Sequence, residues 1–226
     1  MSRHQIRNPK SDIQHPTGVT LIEVVVATAI MGLVVTVTYA VLQSGITGWR
    51  TSELRFDVQQ NLRQALDRMS RELRETGQAG AVLIEPNTLT SSLANDVVLA
   101  FKTARKVGDE KRVVFRNDLD CAVQIPLDYR PCWQAYIVYY LTEETGNNGP
   151  YVLRRQVISL SSPDTTFSSV STLLTPDTAR PIARRIGNFV AVTSGSTIDV
   201  TLTAEAAVPN LPIQSLEQTL RTAPRN

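Results

Sequence analysis

The stretch TGVTLIEVVVATAIMGLVV, Thr17–Val35, sets one carboxylate, Glu23, inside a long apolar run and five positions after Gly18. A charge near the centre of a membrane helix costs roughly 2.5–3.5 kcal/mol on insertion scales, so a chain that keeps one must satisfy it. Other candidates for chemistry are few. The only two histidines, His4 and His15, fall within the first eighteen residues. From Val19 onward there is no imidazole for a Ser-His-Asp or Cys-His nucleophile, nor for a His-ligated metal. Two cysteines, Cys121 and Cys132, bracket AVQIPLDYRP. In an oxidising compartment a disulfide closing such a loop contributes roughly 3 kcal/mol; the alternative is two reduced or separately buried thiols. Asn117, Asp118 and Asp120 in RNDLD offer oxygen ligands, but they lack the glycine and terminal glutamate of an EF-hand loop and read as a solvated turn. No metal site and no cofactor are expected.

These residues sit on a chain of 226 residues, 42% hydrophobic and 19% charged, with a net charge of +2. That balance is too small to imply a nucleic-acid groove, so no nucleic-acid partner is expected. The basic excess belongs to residues 1–18, where Arg3, Arg7 and Lys10 stand against Asp12; the remainder is neutral. This leader is polar and Pro/Gly-containing, without apolar period. Val19–Leu42 follows with Glu23 as its only charge. At about 1.5 Å per residue such a helix spans a hydrocarbon core of about 30 Å, and positive charge on its N-terminal side keeps that end cytoplasmic. Residues 1–40 also admit a second reading, a secretory signal peptide cut after Ala40, but the apolar run is long for one.

After a looser patch at Gln43, Ser44, Gly45 and Gly48, the period changes. Leu54, Val58, Leu62, Leu66, Met69 and Leu73 recur at steps of three and four and share one helical face. Opposite charges at i,i+4, such as Arg63 with Asp67 and Arg68 with Glu72, support the same helix. Gly77 and Gly80 are the expected stop signals, so a nearly continuous helix from about residue 19 to 76 is predicted. Residues from about 85 read as strands: Val97–Phe101, Lys111–Arg116, Gln134–Thr142, Tyr151–Ser159, Phe189–Thr193 and Thr197–Thr203. Turn residues in TEETGNNGP and in Ser194–Ser196 mark hairpins. Ser161–Pro181 reads as a long surface loop, and the tail from Pro209 as one last short strand. Tyr136, Tyr139 and Tyr140 are expected in the core and on sheet faces.

A basic leader, a glycine, four uncharged residues, a glutamate and an apolar helix continued by an amphipathic one together resemble type IV pilins and the pseudopilins of type II secretion. The motif here is Gly18, Val19, Thr20, Leu21, Ile22, Glu23, with valine where the family usually has phenylalanine. The resemblance implies that a prepilin peptidase cuts between Gly18 and Val19, and that the new amino group of Val19 is N-methylated. It implies that the Glu23 carboxylate meets the amino terminus of an adjacent subunit and sets register in a filament. The stretches NLRQALDRMSRELRET and YYLTEETGNNGPYVLRRQ, the chain end APRN and the bulky head are similar to minor pilins of the W type and minor pseudopilins of the J type.

The expected fold is therefore α+β and pilin-like, a long N-terminal helix packed on an antiparallel β head. The expected divisions are a cleaved leader (1–18), a membrane and assembly helix (19–42), its amphipathic continuation (43–80) and a periplasmic head (81–226). Leu54, Val58, Leu62, Leu66, Met69 and Leu73 are expected to dock helix on head. The implied function is non-catalytic, initiating or capping a type IV pilus or pseudopilus. Its partners would be other minor pilins or pseudopilins, the prepilin peptidase and the inner-membrane assembly platform, first in the inner membrane and then in the filament. The rivals are a membrane-anchored binding module and a carboxylate-based hydrolase that would have to use paired acids such as Asp118 and Asp120.

Overall fold

The computed structural model describes residues 18–76, 82–90, 96–125, 127–143, 151–163, 166, 169–206 and 214–223. The leader before Gly18, the helix stop signals Gly77 and Gly80, Asn147–Gly149 of the first hairpin, and the start of the tail at Pro209 lie outside these residues. The chain divides into two compact units, residues Met1–Arg50 and Thr51–Asn226.

One helix, α1 (Leu21–Glu75), runs through both. In the first unit its residues are exposed throughout, apolar side chains included. No proline interrupts it, and its threonines do not open it. The hydroxyls of Thr28, Thr36 and Thr38 donate to the carbonyls of Val24, Gly32 and Val34 at 2.8–3.0 Å. Each polar group is thus satisfied within its own helix, which an apolar surrounding demands.

In the second unit the same helix is amphipathic. Val58, Leu62, Ala65, Leu66, Met69 and Leu73 are buried, while Leu54, one turn earlier, is half-buried. They join a core with alternate residues of a seven-stranded antiparallel sheet. Its strands are β1 (Val82–Pro86), β2 (Val97–Thr103), β5 (Ala135–Thr142), β6 (Tyr151–Ser159), β7 (Arg180–Ser194), β8 (Thr197–Ala206) and β9 (Gln214–Thr222), adjacent in that order. A separate two-stranded ribbon, β3 (Arg105–Lys106) and β4 (Asp109–Val113), turns at Gly108, whose φ of 90° only glycine adopts without strain.

The period of two explains why AYIVYYLT in β5 is apolar without interruption. Ile137, Tyr139 and Leu141 join the helix-bearing core, whereas Tyr136, Val138 and Tyr140 join a second cluster with Val98, Ala100, Val170 and Ala179. Both faces of this strand are covered, so it shows no polar alternation. The second cluster is covered by the segment after β6. Glu85 holds that segment: its carboxylate accepts the Ser169 and Ser171 hydroxyls and the Val170 and Ser171 amides. Burial pushes the Glu85 carboxyl up, but these four donors outweigh it and hold it below its ordinary value.

The strands differ from the sequence expectation in several places, the short β3 being one that the expectation did not include. The strand expected at Lys111–Arg116 is Asp109–Val113, because the Phe115 amide donates to Asp118 Oδ2 and Phe115 makes only an isolated bridge to Pro131. β1 was not expected; its VLIEP is short and ends in proline. The loop at Ser161–Pro181 is shorter than read, since β7 begins at Arg180 and the loop carries the 3-10 turn Ser171–Leu173 and buried Val170 and Ala179. The tail strand is nine residues long rather than a short one.

Candidate functional site

The N-terminal site begins at Gly18, where an added Cβ would meet nothing within 4 Å. Val19 is 73% exposed. Thr20 and Glu23 then close a reciprocal cap on α1. The Thr20 amide donates to Glu23 Oε2 at 2.9 Å and its hydroxyl to the same oxygen at 3.0 Å; the Glu23 amide reaches back to Thr20 Oγ1 at 3.4 Å. This is a capping box, a Thr-x-x-Glu that satisfies orphan donors at the start of a helix. It also supplies the physical answer to how Glu23 is tolerated beside Val24–Val26. The carboxylate turns back along the chain toward the first turn, where the helix dipole favours negative charge. The signal was present in the sequence as TLIE. α1 from Leu21 is long and apolar enough to cross a membrane.

In the second unit, the helix is keyed to the sheet by charge as well as by apolar packing. Glu72 accepts the Tyr139 hydroxyl at 2.7 Å, Arg155 Nε at 3.2 Å and Arg68 Nε at 3.1 Å. Arg155 is 4% exposed. Burial first, then the neighbouring Glu72 charge, pushes the Tyr139 phenol well above its ordinary value, so it stays a donor. At the end of α1, Glu75 pairs with Arg105 of β3. Sequence reasoning missed Glu72. In the sequence it shows only as half of an i,i+4 pair with Arg68, and nothing local reveals that Arg155 and Tyr139, 83 and 67 residues away, converge on it.

Cys121 and Cys132 are joined as a disulfide, with Cα atoms 5.9 Å apart, and with Val114 form a small core of their own. Asp118 and Asp120, the acids a hydrolase would need, are engaged separately. Asp118 accepts the Phe115 amide, and Asp120 accepts Lys106 Nζ at 3.0 Å and Arg112 Nη1 at 2.9 Å. The hydrogen bond from Lys106 first, with the Arg112 charge adding to it, holds the Asp120 carboxyl below its ordinary value, the opposite of what a general acid requires. Among the described residues, no three His, Cys, Asp or Glu side chains are grouped as metal ligands.

A long apolar N-terminal helix joined to an antiparallel β-sheet is the α+β, pilin-like class of protein. Residues 15–39 match the family model of the prokaryotic N-terminal methylation motif. The match supports a type IV pilin or pseudopilin, a chain that a prepilin peptidase processes and that associates with other pilins. Comparison with curated proteins and with solved structures found no match.

Proposed function

We propose that this chain is a non-catalytic minor pilin or minor pseudopilin that helps initiate or cap a type IV pilus or a type II secretion pseudopilus. The observation that carries the reading is the methylation motif lying on the capped start of an exposed apolar helix. Peptidase cleavage falls between Gly18 and Val19, leaving residues 1–18 as leader, and methylation falls on Val19. Residues 19–42 form the membrane and assembly helix, with the N-terminus cytoplasmic. Residues 43–80 continue it, and residues 81–226 form a periplasmic head seated on Leu54–Leu73. Partner subunits are other minor pilins or pseudopilins, and the inner-membrane platform carries the nascent filament.

In this reading Glu23 has two alternative partners. In the isolated chain it closes the Thr20 cap. In the filament its carboxylate meets the amino terminus of an adjacent Val19, and the desolvated pair is tolerable because both charges are satisfied. Exchange of the Thr20 cap for the adjacent amino terminus then sets register between subunits.

The deciding measurement is the N-terminal mass of the protein from its own membranes, with and without prepilin peptidase. A chain that starts at Val19 only when the peptidase is present supports the proposal. Retention of residues 1–18 with the peptidase active would overturn it.

A further inference from the structure

The two edges of the seven-stranded sheet are built differently. β1 has five residues, ends at Pro86 and uses Glu85 to hold a neighbouring segment. Those are ordinary ways to blunt an edge. β9 is longer, has no proline and holds no such segment among the described residues, though it carries the charged Glu217 and Arg221 on its exposed face. It runs nine residues, Gln214–Thr222, without proline, lysine or register shift, and pairs with β8 alone among the described residues. An edge of this length presents a row of amides and carbonyls that another strand can complete, provided its charges are matched.

The side chains of β9 identify that strand. On its exposed face stand Ser215, Glu217, Thr219 and Arg221 in alternation. Arg221 is bonded through both its Nε and Nη2 to Asp199 at 2.7 Å, yet its side chain remains 73% exposed. Glu217, also exposed, has no ion pair among the described residues. Place a second β9 antiparallel beside the first, with Thr219 opposite Thr219. Each Glu217 then faces the Arg221 of the other strand on the same side of the sheet, twice over by symmetry. Cross-strand opposite charges stabilise an antiparallel pair, and like charges directly opposite destabilise it. The same register sets Leu216 against Thr222 and Gln218 against Leu220 on the inner side. A two-fold contact must be self-complementary, and in this register β9 is.

We infer that β9 is a homotypic docking edge, through which the heads of two copies of this chain join into one continuous sheet. The pairing does not depend on cleavage at Gly18, so its failure and that of the processing reading are distinguishable.

The test is cysteine cross-linking of the full-length chain in isolated membranes under mild oxidation. The native thiols do not interfere, because Cys121 and Cys132 are bonded to each other. Thr219→Cys, on the symmetry axis, should yield a disulfide-linked homodimer. Ser215→Cys and Ala223→Cys should each fail alone and cross-link when the two variants are co-expressed. Adding Glu217→Arg to Thr219→Cys should reduce the dimer band by about tenfold or more, since like charges then face each other, while Glu217→Gln should largely retain it. A Thr219→Cys chain that stays monomeric, or that links to a different protein, overturns the inference. So does efficient cross-linking of Ser215→Cys alone.

Discussion

Removing the Glu72 carboxylate should be among the most damaging single changes outside the apolar core. Glu72→Ala deletes the acceptor shared by Tyr139, Arg155 and Arg68. The side chains of Arg155 and Glu72 are 4% and 11% exposed, so the pair lies in the buried regime, where loss of one partner costs about 3–5 kcal/mol. Arg68, at 31%, contributes only on the scale of a partly exposed i,i+4 pair, a few tenths of a kcal/mol. A cost near 4 kcal/mol corresponds to a fall of roughly 8–16 °C in the melting temperature of a domain of this size. The assay is thermal and urea unfolding of the detergent-extracted chain followed by circular dichroism. Glu72→Gln keeps an acceptor and should lose less. The combined Glu72→Leu, Arg155→Met and Tyr139→Phe chain should recover most of the loss, because an apolar replacement of a whole buried polar group is often neutral. A loss below about 1 kcal/mol for Glu72→Ala, the range of surface pairs, would refute the reasoning.

Cys121→Ser should destabilise the loop between the cysteines by roughly 3 kcal/mol, read as faster proteolysis within residues 121–132 under conditions that leave the β-sheet signal intact. Asp96 is buried, and that burial raises its carboxyl above the ordinary value despite hydrogen bonds from Thr90 and Asn87. Its folded state therefore favours the proton, so its contribution to stability is present at acid pH and is lost as pH rises through the raised value; Asp96→Asn should flatten that limb in urea titrations at several pH values. Gly195 opens the two-residue β7–β8 turn with φ of 61°, so Gly195→Val should cost about 1–2 kcal/mol in unfolding experiments while Gly195→Asn costs little. Glu23→Ala should leave head stability unchanged but abolish filament assembly, scored by electron microscopy of sheared filaments; full assembly would sink the register role.

The helix was legible because its signals are local: the apolar run, the change of period at Leu54, and the i,i+4 charge pairs after it. The central strands were legible for the same reason, and the Ser194–Ser196 turn matched its glycine. β1 was not, because VLIEP is too short to show alternation and is defined by its pairing with β2. β7 extends back across Pro181 to Arg180, which a reader of composition takes for loop. Its irregular register beside β6 and the left-handed backbone at Arg185, φ 61°, show why no clean period appears there. At the site, Glu23 stands out in the sequence as a lone charge in an apolar run, while Gly18 and Val19 could be named only through the resemblance to the pilin motif. Glu72 could not, since its partners are fixed only by the fold.

The core that seats α1 begins at Val58 and is not complete until Val200, Leu202 and Ala204 of β8, with Leu216 and Leu220 of β9 packed against them. Synthesis and delivery proceed in the opposite sense to that dependence: the first residues to emerge need the last ones. For most of its early life the amphipathic half of α1 therefore carries a bare stripe of Leu62, Leu66, Met69 and Leu73 with nothing yet to cover it. Truncation before β8 should then leave not a smaller head but an aggregating helix.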